Sequence, residues 1–365
     1  MEIQTIDRTL WGHINGYLST QFIVAGCELQ IFDKLESDGP LSASEVATEL
    51  ELDLIATESL LNALAGIDVL NKHYKGGNKQ NEATFSNTSQ ASDHLTTAAP
   101  LSVKACVLSV KEFNYQLAGN MSFLVKEGKP QVKRTFGFPA PLYDMIAMGD
   151  PKLTIPFMAG IHGLANISQR EGALKSFDLS GYRTVCDLGG GTGAVAFALA
   201  ARYPNMEITV FDLPPVVACV DCFKPIDPKS ANVTFQGGDF FKDDLPEAEL
   251  YLLSNIIHNW SEDRIGEILR RVRNCVLPGG AILIVESLYD DDKRGPVNTH
   301  VLNFMMMLAF EGGRQRSGSE MRELLERHGF IDVEIQKSGG LADSVFAVKA
   351  TRPAITNGFS ETETN

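Results

Sequence analysis

Val185-Cys186-Asp187-Leu188-Gly189-Gly190-Gly191-Thr192-Gly193 is a short apolar segment that meets an acid, runs through glycines, and leads into the amphipathic stretch Ala194 to Tyr203. The pattern predicts a strand, a tight turn and a helix. Glycine is needed there because the backbone must turn sharply and lie against a ligand with no Cβ between them. Asp212 ends the next apolar segment, 19 residues beyond Gly193. A carboxylate at that strand end can accept both hydroxyls of a ribose. Outward from this unit, from Arg183 onward, apolar strands alternate with helices. The expected strands are Thr184–Leu188, Glu207–Phe211, Val233–Gln236, Leu250–Ile256, Ala281–Glu286, Val333–Lys337 and Ser344–Val348. This alternation predicts an α/β, Rossmann-like, doubly wound domain with helices on both faces of a mainly parallel sheet.

The glycine run alone leaves the cofactor open. Gly191-Thr192-Gly193-Ala194-Val195-Ala196 satisfies the GxGxxA form of a dinucleotide site, so a nicotinamide-dependent oxidoreductase is one reading. Two acids favour another. Asp187 precedes the glycines, where it would repel a pyrophosphate and attract the ammonium group of S-adenosylmethionine. Gly238-Asp239-Phe240-Phe241 ends the third strand, where Asp239 can reach an adenine amino group and Phe240 can pack on its ring. S-adenosylmethionine is therefore the expected cofactor, held by Gly189, Asp212, Gly238, Asp239 and Phe240.

In Leu252-Leu253-Ser254-Asn255-Ile256-Ile257-His258-Asn259-Trp260, a histidine follows the fourth strand, on the sheet edge where ligands bind in open α/β folds. A lone histidine is more often structural. Here Glu286 ends the next strand and Glu311 follows the apolar helix His300–Phe310, so two carboxylates are expected to flank the imidazole and fix its tautomer. A phenol has a pKa near 10 (~10). A base is therefore needed when its oxygen attacks a sulfonium methyl at neutral pH, and His258 is the candidate. The Met-rich helix containing Met305 is either plain core or the wall of an adaptable pocket for a flat aromatic ring. A non-catalytic regulatory protein is the remaining alternative, and it gives His258, Glu286 and Glu311 no purpose. Nitrogen or carbon acceptors stay open.

The 365 residues suit two domains. Residues 1–110 read as helices followed by a β-wing around Gly76-Gly77, a winged-helix-like unit. That unit holds 14 Asp and Glu against 6 Lys and Arg, and the whole chain carries −14, which excludes a nucleic-acid reader and disfavours an anionic membrane. Dimerisation is the better use of such a domain. A helix is expected from Leu18 through Leu35. Ser42 and Glu45 form a capping box for the next helix, and a third runs from Thr57 to Leu70. Residues 111–178 are a helical connector punctuated by Pro139, Pro141, Pro151 and Pro156, residues 179–350 form the cofactor-binding domain, and the polar tail 351–365 is expected to be disordered. The N-terminus lacks the features of a secretory signal, and Val301 to Phe310 is too short to cross a bilayer, so the expected location is the cytoplasm. Six scattered cysteines predict no disulfide framework. The single CxxC, Cys219 and Cys222, lacks the second pair a zinc site needs and reads as two free thiols on a helix. No metal is expected.

With these residues in place, the chain resembles the plant-type small-molecule O-methyltransferases, and most closely their acetylserotonin O-methyltransferase branch. The resemblance rests on Cys186-Asp187-Leu188-Gly189-Gly190-Gly191, Val210-Phe211-Asp212-Leu213-Pro214, Gly238-Asp239-Phe240-Phe241-Lys242, Val285-Glu286-Ser287-Leu288 and Arg294-Gly295-Pro296. Gly26-Cys27-Glu28-Leu29-Gln30-Ile31-Phe32-Asp33 and His94-Leu95-Thr96-Thr97 add to it near the N-terminus. It implies a homodimer intertwined through N-terminal helices, a small aromatic hydroxyl substrate, and His258 as base flanked by Glu286 and Glu311. Two departures concern the substrate. Asn259 stands where the family usually has aspartate after the histidine. Met305 and Ala309 stand where acetylserotonin enzymes offer amides.

Overall fold

Leu250-Tyr251-Leu252-Leu253 has no polar face, and it forms the middle of the central strand of a seven-stranded sheet. Tyr251 and Leu253 join the core on one side; Leu250 and Leu252 join the core on the other. Burial on both faces explains the continuous apolar run. The computed structural model describes residues 8–74, 83–138, 141–224 and 232–349. The expected turn at Gly76-Gly77, Pro139 and the tail 351–365 lie outside them.

The strands in chain order are β1 (Leu41–Ser42), β2 (Leu70–Tyr74), β3 (Ala83–Asn87), β4 (Thr184–Leu188), β5 (Glu207–Asp212), β6 (Val233–Gly237), β7 (Ala248–Ser254), β8 (Val276–Glu286), β9 (Phe330–Gln336) and β10 (Asp343–Lys349). The large sheet has the order β6-β5-β4-β7-β8-β10-β9. Strands β4 to β8 pair in parallel, and β10 runs antiparallel to both its neighbours. The expected strands are all present, with β8 starting five residues early. Strand order reverses at β4, which opens a crevice at the carboxyl ends of β4 and β7. Both the glycine loop and His258 follow those ends.

In the N-terminal half, β1-β3-β2 forms a small antiparallel sheet against four helices, Arg8–Glu28, Ile31–Asp38, Ala43–Glu49 and Leu54–Gly66. The Ser42–Glu45 capping box is present: the Ser42 side chain accepts from the Glu45 N–H at 3.3 Å, and Glu45 accepts from the Ser42 N–H at 2.7 Å. Ser42→Ala should cost about 1 kcal/mol, read as a lowered melting temperature. An unchanged melting point would deny the cap its role.

Two helix boundaries differ from expectation. The long helix breaks at Gln30, which adopts φ 59, so that the Phe32 ring folds back onto Gly26; a Cβ there would lie 2.7 Å from it. The third helix starts earlier because Asp53 caps it, accepting from the Ala56 N–H at 2.8 Å, and it stops at Gly66, leaving Leu70 to open β2. In the connector, Pro156 sits inside the Pro151–Ile167 helix rather than ending it. On the first helix, Leu10, Trp11, Ile14, Tyr17 and Leu18 form an exposed apolar stripe. No helix among the described residues is long and apolar enough to cross a membrane. Cys219 and Cys222 are free thiols, Cys222 closing a short 3-10 turn.

Candidate active site

The glycine loop leaves β4 with Gly189 at φ 70, and a Cβ on that residue would stand 2.4 Å from Ile256 Cδ1. Both facts favour glycine there. Asp187, the penultimate residue of β4, is fully buried, and neither of its carboxylate oxygens has a hydrogen-bond partner. Burial first, and then the charge of Asp212, push its pKa up from 3.8 to about 7. An unpartnered buried carboxylate is costly, and a cationic group placed beside it relieves that cost.

Asp212 lies at the end of β5. Its oxygens accept from the Gly191 and Leu213 N–H groups, each at 2.7 Å. Burial raises its pKa to about 6 against those two bonds. Each oxygen keeps a lone pair for a further donor. At the end of β6, Gly238 lets the chain pass the Phe211 ring, where a Cβ would stand 2.4 Å away. Asp239 accepts from the Phe241 N–H at 2.9 Å and pairs with Lys242 at 2.7 Å. Burial pulls its pKa upward, but these bonds outweigh it and leave the pKa below the usual carboxylate value. Phe240 faces the glycine loop, its Cε1 3.6 Å from the place of a Gly189 Cβ, with its ring edge-on to Trp260. The five residues expected to hold the cofactor thus line one strip, from the ends of β4, β5 and β6.

His258 sits on a 3-10 turn after β7, with only 3% of its surface exposed. Glu286, also buried, does not touch the ring: it accepts from the main-chain N–H of His258 at 3.0 Å. Glu311 lies on an exposed turn after the Val297–Ala309 helix. The side chain that reaches the imidazole is Gln315, whose amide is 2.8 Å from Nδ1. The expectation that two carboxylates flank the ring is therefore replaced by a main-chain carboxylate contact and a neutral amide. Burial first, and then the positive charge of Arg316, lower the His258 pKa to about 3, the bond with Gln315 acting in the opposite direction. Burial raises Glu286 to about 7 against the donation it receives from main-chain N–H groups. Arg316 is itself 1% exposed and is held by Glu262 at 2.6 Å.

Around this turn the walls are apolar. Met305 and Phe304 from the Val297–Ala309 helix join Phe113, Phe136, Phe138 and Phe310 in one cluster. Tyr143 stacks between Trp260 and Phe310, with ring centroids at 5.7 and 5.0 Å. Asn259 turns its amide back to the Asn255 carbonyl at 3.0 Å. Over the glycine loop, His162 bonds Thr192 at 2.8 Å, tying the connector to the cofactor strip.

The family model described as the O-methyltransferase domain matches residues 119–331, and the O-methyltransferase dimerisation domain matches residues 11–97. Acetylserotonin O-methyltransferase of Homo sapiens is 36% identical over 344 residues, covering 94% of this chain and 97% of that protein. The chain belongs to the O-methyltransferase family. The Gallus gallus acetylserotonin O-methyltransferase is 33% identical over 93% of this chain and 96% of its own. The crystal structure of human N-acetylserotonin methyltransferase in complex with S-adenosylmethionine superposes with a TM-score of 0.87 at 34% identity, covering 96% of this chain and all of that one. Membership of the O-methyltransferase family removes the nicotinamide reading that the GxGxxA overlap left open.

Sequence reading missed Gln315, Tyr143 and His162. The signal for Gln315 is present: Gly312-Gly313 followed by Arg314-Gln315-Arg316-Ser317. At Gly313 a Cβ would stand 3.0 Å from the Met306 carbonyl oxygen and 3.2 Å from that of His258, a tight fit that glycine relieves where this polar run passes the histidine.

Proposed function

We propose that this protein transfers the methyl group of S-adenosylmethionine to the hydroxyl of a small, flat aromatic molecule, a phenol or an indole, with His258 as general base. One juxtaposition carries the reading. At a single sheet edge, the ends of β4 and β7 present a buried carboxylate with no partner and a buried neutral imidazole. The first suits the ammonium group of the cofactor; the second suits the acceptor's proton.

Bound S-adenosylmethionine supplies an electrophilic methyl carbon on a sulfonium. Gly189, Gly238 and Phe240 give its adenosine a close, apolar seat, Asp212 and Asp239 hold its polar edges, and Asp187 neutralises its cationic end. The acceptor's ring enters among Met305, Phe304, Phe310 and Tyr143, with Asn259 at the turn beside it. His258 is placed to take the acceptor's hydroxyl proton; the cofactor, held there, would give up its methyl carbon as the bond to sulfur breaks, and holding the acceptor oxygen in place would supply much of the rate. Glu286 holds the main chain of the His258 turn, whereas Glu311 lies on the exposed turn after the Val297–Ala309 helix. The apolar stripe on the first helix and the dimerisation-domain match support a homodimer, which divides the chain into a pairing unit (1–110), a connector that shapes the pocket (111–178) and a catalytic unit (179–350).

The test is a set of phenols and indoles, N-acetylserotonin included, incubated with S-adenosylmethionine and read by mass spectrometry. At least one should give a donor-dependent methylated product. No product, together with no thermal shift on adding S-adenosylhomocysteine, would sink the proposal.

A further inference from the structure

We propose that the hydrogen bond between His162 and Thr192 is a latch that holds the glycine loop in register with Asp212, and so sets the affinity for S-adenosylmethionine. The inference rests on that cofactor occupying the strip at the ends of β4, β5 and β6.

Three of the five residues from Gly189 to Gly193 have positive φ, at 70 for Gly189, 59 for Gly191 and 79 for Gly193. Glycine populates that region freely, so such a loop has little conformational preference of its own. Contacts from outside must choose its conformation. The Gly189 N–H donates to the Phe211 carbonyl at 2.7 Å, and the Gly191 N–H donates to Asp212 at 2.7 Å. The second bond ties the loop to a carboxylate proposed to hold the cofactor. Thr192 is the only one of the five with a side chain, and it is 2% exposed. Its hydroxyl lies 2.8 Å from His162 Nδ1. A shift of Thr192 carries its neighbour Gly191 with it, and so moves the N–H that Asp212 accepts.

His162 belongs to the Pro151–Ile167 helix, which meets the loop on one face and the N-terminal half on another. Met158 lies one turn before His162 on the same face, its Cε 3.0 Å from the place of a Gly191 Cβ. At Gly163 a Cβ would stand 3.1 Å from the Ser102 carbonyl oxygen, so the helix is backed closely there. The His162 ring also leans on Phe223, with centroids 5.3 Å apart. The Met158 contact is apolar and lets the loop slide; the hydrogen bond is directional and does not. Burial lowers the pKa of His162, so its ring is neutral at neutral pH. A threonine hydroxyl can donate to a bare Nδ1 or accept from a protonated one, so the bond holds in either tautomer.

The experiment compares wild type with His162→Phe, Thr192→Val, the double variant, and two variants that keep a polar atom, His162→Asn and Thr192→Ser. It reads the Kd for S-adenosylhomocysteine by calorimetry, and KM and kcat on an acceptor that wild type methylates. It also reads amide hydrogen exchange of residues 189–193 in the free protein. Phenylalanine keeps a ring against Phe223 and valine keeps the shape of threonine, so each removes little but the bond. Each should weaken binding and raise the cofactor KM by about 5-fold, the scale of one hydrogen bond. Loop exchange should quicken by a similar factor. At saturating cofactor kcat should stay within about 2-fold, because His258 follows β7 and is bonded to neither residue. The double variant should also stand near about 5-fold rather than about 25-fold, since one bond is lost only once. His162→Asn places an amide atom where Nδ1 lay, and Thr192→Ser keeps the hydroxyl. Both should bind within about 2-fold of wild type. Folded His162→Phe and Thr192→Val with wild-type affinity and loop exchange overturn the inference, as do effects that add in the double variant. Should Thr192→Val fail to fold, His162→Phe decides, because that side chain is only half-buried. A wild type that does not bind S-adenosylhomocysteine overturns the cofactor strip itself; a wild type that binds, with variants that bind equally well, removes only the latch.

Discussion

Replacing His258 with Ala should lower kcat by about 10²- to 10⁴-fold, while the Kd for S-adenosylhomocysteine stays within a few-fold. The two effects separate because the residues serve different strands. The strip proposed for the cofactor belongs to β4, β5 and β6, whereas His258 follows β7 and touches Glu286 and Gln315. Without the imidazole, the acceptor must lose its proton to water, and a phenol near pKa 10 (~10) is mostly un-ionised at neutral pH. The pH dependence has a definite sign. Burial and then Arg316 lower the ring's pKa from 6.5 to about 3, so the neutral, proton-accepting form is present throughout pH 6 to 8 (about two units either side of 7). The contribution of His258 to kcat should therefore stay flat there and fall only at lower pH. Single-turnover assays with calorimetric titration check both halves. Retained turnover would dismiss the base, and lost cofactor binding would make the residue structural.

The sheet was legible because its strands are buried on both faces. A run such as Leu250-Tyr251-Leu252-Leu253 admits few other uses, and a glycine run between an acid and a helix marks the strand end beside it. The N-terminal helices were less so. Nothing in the local pattern of Leu18 to Leu35 marks a break, because the break is made by Phe32 folding onto Gly26, a contact between residues whose proximity only the tertiary structure shows.

The placement of the acids proposed for the cofactor was legible from the strands: Asp212 ends β5, Asp187 stands one residue before the end of β4, and Asp239 follows β6 by two residues. The surroundings of His258 were not. Glu286 is buried near the histidine, as its strand end implied, but a 3-10 turn offers it main-chain N–H groups instead of the ring. Glu311 and Gln315 are four positions apart, and the Gly312-Gly313 turn decides which of them is inside. Sequence distance hides the result, since Gln315 meets a histidine 57 residues earlier. An Arg-Gln-Arg-Ser run reads as a solvated loop until Gly313 is seen to press it against the His258 carbonyl.

Asp187→Asn should act in opposite directions on the free and the cofactor-bound protein. In the free protein the carboxylate is buried, unpartnered and beside Asp212, and its pKa is raised from 3.8 to about 7. A group raised in the folded state contributes stability below its unfolded pKa, and that contribution is lost as pH rises from 3.8 through about 7. At pH 8 (about one unit above) the charged form is a net cost, which the amide removes. The variant should then melt higher by about 1–3 kcal/mol equivalent, and that gain should shrink toward pH 5 (roughly two units below), where wild-type Asp187 is already protonated. Binding reverses the sign. S-adenosylhomocysteine retains the ammonium group that the carboxylate is proposed to meet, so at pH 8 the variant should bind about 30-fold more weakly or worse. Wild-type affinity should fall below about pH 7, where binding must first expel a proton from Asp187. Calorimetry in buffers of different ionisation enthalpy reads that proton directly. If the variant binds as tightly as wild type at pH 8 and is no more stable, Asp187 meets no cation and the orientation proposed for the cofactor is wrong.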